Sequence, residues 1–402
     1  MRIKGLIIVA AIAVEFPCEG QNILTAIIQK DSLYTKYKEV FDNPTKYHLQ
    51  IIYTQVNRDK YNKVTLKKYL LEPPTKRYYY PASLVKLPLA ALSLEKINKL
   101  KIANLSKYTR LCIDSSHTCE TKEYYDTTAI SGYPSIAQYI KRMLLVSDNN
   151  AYSRIYEFLA PTYINKRLHE MGYMNATINQ RFKAGCDSTD NRYTNGFIFL
   201  DKDSNSIYTQ PSACYNEDIR NHATHTTIGK AFKDGNKLLP PRNFSRNNYI
   251  PFEDENDILL SLIYPRSVGP SRRFDLTAGD YLFLKKYMSM LPRESTYPTY
   301  NTKEYPDNFK KYIYFGTTGN IEDTTIRSYN IVGQAYGFLA DCAYIKDSKT
   351  GTEFFLSILI YVNEKNILNT NDYQYKTIGL PFMSDMGHAI YKYELKRRKK
   401  KN

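Results

Sequence analysis

The stretch Tyr80-Pro81-Ala82-Ser83-Leu84-Val85-Lys86-Leu87-Pro88 decides how the chain is read. A proline followed by a small residue and a serine is a helix-opening signature, and the pattern predicts a helix from near Ala82 to about Leu100. Ser83 then falls in the first turn, and Lys86, one turn further on, shares its face. A serine hydroxyl is a weak nucleophile until a base polarises it. A lysine at this distance can do so once burial lowers its pKa. A bare Ser-x-x-Lys also arises by chance on exposed helices, so the reading needs a second element.

That element is Leu145-Val146-Ser147-Asp148-Asn149-Asn150, a polar break between two predicted helices at about 135–145 and 150–159. Ser147 can relay a proton, and Asn149 can hold a substrate amide or orient Lys86. Asp148 suits bracing of the turn through backbone amides. Without the first element this stretch is an inter-helix loop with an aspartate cap.

Working outward, residues 24–41 carry helical spacing through Ile27, Ile28, Leu33, Tyr37 and Val40. His48 to Val56 and Lys63 to Leu71 read as a hairpin turning at Asn57 to Asn62. Residues 176–256 are rich in Asn, Asp, Ser and Tyr with weak periodicity, the mark of a long irregular stretch. Helical spacing returns at 278–290. Tyr329 to Lys346 and Glu353 to Tyr361 read as two strands, and a helix at about 382–398 ends the chain. Strands near both ends with helices between them predict an α+β fold. One antiparallel sheet is assembled from both termini and flanked by helices, with a mainly helical lobe inserted. The expected division is a sheet lobe at about 21–75 and 320–402, and a helical lobe at about 76–319 with an irregular insertion at about 183–300.

The sequence resembles the penicillin-recognising serine enzymes, class A β-lactamases in particular, over most of 24–182 and 320–395. The family pattern is Ser-x-x-Lys, then Ser-Asp-Asn, then Lys-Thr-Gly on a strand. The resemblance implies that Ser83 is the acylated nucleophile, Lys86 its activator, Ser147 the proton relay and Asn149 a substrate-amide contact. Backbone N–H groups of Ser83 and of a third-strand residue would form the oxyanion hole. The third motif maps to Tyr329-Asn330-Ile331-Val332-Gly333-Gln334. Gly333 matches its glycine, and Gln334 follows as a substrate contact. Ile331 and Val332 stand where the family has a lysine and a threonine that engage the substrate carboxylate. Gly316-Thr317-Thr318-Gly319 imitates the motif outside a strand pattern, and Arg266, Arg272 and Arg273 are candidate replacement cations.

A second departure concerns water. Arg181-Phe182 matches the pair that precedes the family's deacylating glutamate, but Lys183 occupies the glutamate position. Asp187 and Asp190 are the nearest acids. If nothing replaces the glutamate, an acyl-enzyme forms and persists, because water needs its own base. His225-Thr226-Thr227 resembles the entry to the family's next helix. The leading expectation is therefore an exported serine hydrolase acting by acyl transfer through Ser83 on a β-lactam or a peptidoglycan-like acyl substrate. An envelope peptidase or esterase, or a degenerate peptidoglycan- or glycan-binding protein, is the alternative. No metal or organic cofactor is implied.

Arg2 and Lys4 followed by apolar Leu6 to Val14 and Cys18-Glu19-Gly20 read as a signal peptide over 1–20. The apolar run is too short to span a bilayer, so the protein is expected in the periplasm or outside the cell, as a monomer. An oxidising compartment permits disulfides. Cys112 with Cys119 and Cys186 with Cys214 are plausible bridges, and Cys342, in an apolar strand, reads as a buried thiol. No Cys-x-x-Cys is present and the 6 His are scattered, which disfavours zinc. Hydrophobic residues at 43% and charged ones at 24% exclude wholesale disorder. Net charge is +16, part of it in the run Lys396 to Lys401, which reads as a solvated helix end. The basic body is compatible with anionic envelopes, and no nucleic-acid motif accompanies it. The 38 Tyr against no Trp supply half-polar surface and name no function.

Overall fold

The computed structural model describes residues 19–399 except 31, 72–75, 118, 184, 188 and 216–218. The expected signal peptide therefore lies outside the described residues apart from its last two.

Five antiparallel strands make the main sheet: β1 (Gln50–Arg58), β2 (Val64–Leu71), β3 (Ile326–Ala335), β4 (Phe338–Asp347) and β5 (Glu353–Tyr361). Their spatial order is β3-β4-β5-β1-β2, so strands from the two ends of the chain meet where β5 pairs with β1, for example Tyr53 opposite Leu356. Alternation along β1 sends Ile51 and Tyr53 to one face and Ile52 and Val56 to the other, and all four are buried. A strand buried on both faces requires a layer on each side of the sheet. On the first face lie α1 (Glu19–Lys30), through Leu24, Ile27 and Ile28, and the terminal helix α8 (Leu380–Lys399), through Phe382, Met383, Met386 and Ile390. On the second lies the helical lobe: α2 (Lys86–Leu100), α3 (Ile136–Val146), α4 (Asn149–Leu159), α5 (Pro161–Glu170), α6 (Phe252–Ile263) and α7 (Ala278–Ser289). The fold is α+β, as the order of elements predicts. Among the described residues no helix is long and apolar enough to cross a membrane.

Tyr329 to Lys346 is not one strand but a hairpin. Tyr336 and Gly337 both hold positive φ, 54° and 93°, and turn β3 into β4 in two residues, because two left-handed residues in succession match the twist of the flanking strands. The apolar run hides the turn, since only Gly337 marks it. Residues 176–256 are more ordered than their composition implies. Gly196–Leu200 joins Arg110–Asp114 and Ser206–Gln210 in a small sheet, with Phe197 and Phe199 turned into the helical core. Thr227–Ile228 pairs with Arg242–Asn243 where a helix entry was expected, because Gly229 and Gly235, both at positive φ, turn the chain back into strands. Gly316 to Gly319 lies in a turn.

The expected cysteine pairs are also corrected. Cys119 bonds to Cys186, with Cα atoms 5.8 Å apart, while Cys112, Cys214 and Cys342 are free thiols. Cys112 is fixed in a strand opposite Ile198, which separates it from its near neighbour in sequence. Cys342 is fully buried, as its strand implies.

Candidate active site

Ser83 lies in a 3-10 turn, Ala82–Val85, which runs directly into α2. The turn is reached through Ala82, a non-glycine residue at φ 48°. Such a conformation costs about 1–2 kcal/mol and survives only where surrounding packing imposes it. Here β3 does so: a Cβ at Gly333 would collide with the Pro81 carbonyl oxygen and crowd Leu84, so only glycine lets the strand lie against the serine turn.

The other wall is the α3–α4 break. Ser135 caps α3, its hydroxyl accepting from the Gln138 N–H at 3.2 Å. Ser147 ends α3 in the left-handed region at φ 59°, which turns its side chain towards Ser83. Asp148 caps α4 by accepting from the Ala151 N–H at 2.9 Å and is held by Arg142. It faces its own turn rather than the serine.

These elements bring Ser83, Lys86, Ser147 and Asn149 together. The Lys86 Nζ lies 2.9 Å from Ser83 Oγ, 2.9 Å from Ser147 Oγ, 2.5 Å from the Ser147 carbonyl and 2.8 Å from Asn149 Oδ1. Ser147 Oγ donates to Ser83 Oγ at 2.7 Å. Lys86 is fully buried over the rings of Phe182 and Tyr152. Burial holds its pKa well below the ordinary lysine range, the nearby Lys310 ammonium lowers it further, and Asp148 opposes both. An amine so placed is available in its neutral form, with a lone pair beside a hydroxyl.

The cleft above Ser83, about 310 Å³, is lined by Tyr80, Asn149, Phe182, Lys183, Gln334 and their neighbours, and none of the lining side chains is an acid. Gln334, on the edge strand, faces Ser83 across it. Ile331 and Val332 are buried in the two cores and offer the cleft neither charge nor hydroxyl. Two of the candidate replacement cations are engaged elsewhere: Arg272 pairs with Asp257, and Arg273 donates to the Val268 carbonyl, while Arg266 is not among the residues that line the cleft.

Behind the cleft, Arg181 is buried against Glu157 at 2.8 Å, and Phe182 stacks on Tyr152 with centroids 4.4 Å apart. Lys183 Nζ donates to the Cys119 carbonyl at 2.7 Å, next to the disulfide that closes this loop. Asp187 and Asp190 satisfy backbone N–H groups of their own turn. Among the described residues one group has metal-ligand spacing, Cys119, Cys186 and Asp190, and its two sulfurs are bonded to each other. Sequence reasoning did not single out Lys310, which no motif marks.

The β-lactamase enzyme family model matches residues 36–213. Among solved structures, PBP-A superposes with a TM-score of 0.50 at 10% identity, covering 92% of this chain and 95% of that one. A PBP-A mutant, as its acyl-enzyme complex with penicillin G, gives 0.49 at 10% identity over 92% and 96%. A class A β-lactamase from Clostridium kluyveri gives 0.48 at 10% over 91% and 98%. At such identity the likeness is one of fold. No curated protein matches the chain by sequence.

Proposed function

We propose that this chain, whose residues 36–213 match the β-lactamase enzyme family model, is an exported serine hydrolase that acylates Ser83 with a β-lactam or a peptidoglycan-like amide and releases the acyl group slowly. The observation that carries this reading is the Lys86 Nζ, buried and within 2.9 Å of both Ser83 Oγ and Ser147 Oγ. Neutral Lys86 takes the Ser83 proton as Oγ attacks the carbonyl carbon. Charge on the carbonyl oxygen is met by the N–H groups of Ser83 and Gln334. The proton then passes through Ser147 Oγ to the leaving nitrogen, the C–N bond breaks, and an ester remains on Ser83.

Slow release follows from the acid-free lining of the cleft, with Lys183 tied to the Cys119 carbonyl where a water-activating carboxylate would be needed. Export is consistent with a disulfide, which persists in oxidising compartments. The test is intact-mass spectrometry after incubation with benzylpenicillin, with lactam hydrolysis followed in parallel. A long-lived adduct that disappears in Ser83→Ala is expected. Rapid turnover would show that some group does activate water, and absence of any adduct removes Ser83 as the nucleophile for this substrate.

A further inference from the structure

Ile331 and Val332 leave the third motif without its cation, and Lys183 in the cleft lining is spent on the Cys119 carbonyl, yet the charge of a further lysine, Lys310, is felt at Lys86. Lys310 belongs to the segment between α7 and β3. Its backbone is left-handed, at φ 60°, and its carbonyl accepts from Asn330 Nδ2 at 2.8 Å, one residue before Ile331. Neighbouring bonds fix the same segment. Lys311 Nζ donates to Asn330 Oδ1 at 2.7 Å, the N–H groups of Tyr312 and Ile313 donate to Asp341 Oδ2 at 3.0 and 2.9 Å, and Asn330 Nδ2 also reaches Asp341 Oδ1 at 2.8 Å. Tyr312 Oη donates to Gln334 Oε1 at 2.7 Å, which links the segment to the cleft wall.

A segment held this firmly ends in a poorly satisfied charge. Lys310 Nζ makes one long bond, 3.4 Å, to Tyr312 Oη, and among the described residues no acid pairs with it. Burial lowers its pKa to about 8, and its charge is felt at Lys86. Asp148, the acid that acts on Lys86, is committed to Arg142. The Lys310 charge helps keep Lys86 neutral, and beside an acid-free cleft it favours an anion.

We propose that Lys310, held by Asn330 and the Tyr312–Gln334 bond, receives the carboxylate of the substrate in place of the cation absent at Ile331. This specificity role rests on the reading of Ser83 as the nucleophile. Lys310 Nζ is joined to the cleft wall through Tyr312 Oη and Gln334 Oε1, from outside the strand that carries the motif, so the carboxylate is gripped from a different element.

The experiment compares benzylpenicillin with its methyl ester as ligands of the full chain carrying Ser83→Ala, by titration calorimetry. Charge-assisted bonds being roughly twice as strong as neutral ones, the acid should bind about tenfold more tightly than the ester. Lys310→Gln in the same background should abolish the preference, and Lys310→Arg should keep most of it. Circular dichroism of both variants establishes that they fold. Equal affinity for acid and ester, no binding of the acid, or a preference untouched by Lys310→Gln overturns the proposal. Acylation of the unaltered protein is measured separately. A retained acid preference without any Ser83 adduct supports Lys310 and overturns the nucleophile alone.

Discussion

In the proposed reaction Lys86 is the residue on which the chemistry turns, and its environment sets the pH at which that chemistry would run. Burial and Lys310 favour the neutral amine, and Asp148 favours the ammonium; the first two prevail. The Ser83 acylation rate should rise with pH as Lys86 loses its proton, levelling off well below the pH at which an ordinary lysine titrates. Stopped-flow acylation across pH checks this, and a rise continuing to the ordinary lysine range would contradict it. Ser147→Ala should slow acylation by about 10²–10⁴-fold, the usual worth of a positioned proton carrier, with substrate affinity little changed. Ser83, Lys86, Ser147 and Asn149 were legible because each pair meets across one helical turn or one inter-helix break. Lys310 was not, since its position depends on Asn330 and Asp341 gripping a segment without periodicity.

Among the elements, β3 governs the site by its closeness to the serine turn. Gly333→Ala should destabilise the fold by about 1–3 kcal/mol, the usual cost of forcing a methyl group into packed space, and reduce acylation more than its stability loss implies. Thermal unfolding beside acylation kinetics separates the two effects. The loop carrying Lys183 is closed by Cys119–Cys186, with a sequence separation of 67. On the chain-entropy account, replacing both cysteines with serine should cost about 4 kcal/mol, read as a shift in denaturant midpoint. Helix α6 buries Glu255 completely with no hydrogen-bond partner for either oxygen, and burial raises its pKa well above the ordinary range. The unfolded chain gives up that proton at lower pH than the folded one, so stability falls as pH rises above the usual glutamate pKa. Glu255→Gln should remove that slope, as urea titrations across pH would show. Helix and strand positions were largely readable from periodicity. The β3–β4 turn was not, because apolar residues run through it, and the disulfide was not, because spacing along the chain says little about loops brought together by α4.

For the whole molecule, the sheet depends on both ends of the chain and on covers over both faces. Deleting 380–402 would remove Phe382, Met383, Met386 and Ile390, all fully buried, and uncover the sheet face they pack on. At about 1.5–3 kcal/mol each, their loss is comparable to the about 5–15 kcal/mol that holds a typical domain together. The truncated chain should show no cooperative unfolding by calorimetry. The α+β architecture was legible from the order of elements, since strands at both termini have few ways to close other than on each other. The small sheets within 176–256 were not, because their strands are short and bury little on their own.

The pairing of β5 with β1 also gives the proposed chemistry a timetable. Ser83 and Lys86 emerge early in synthesis, but the strand that brings Gln334 against the serine turn arrives much later, and the helix that covers the sheet comes last. Until then Lys86 is hydrated and protonated and Ser83 is an ordinary alcohol. On this reading a nascent or unfolded chain is chemically inert towards acyl donors, and reactivity switches on only when the final segments close the fold.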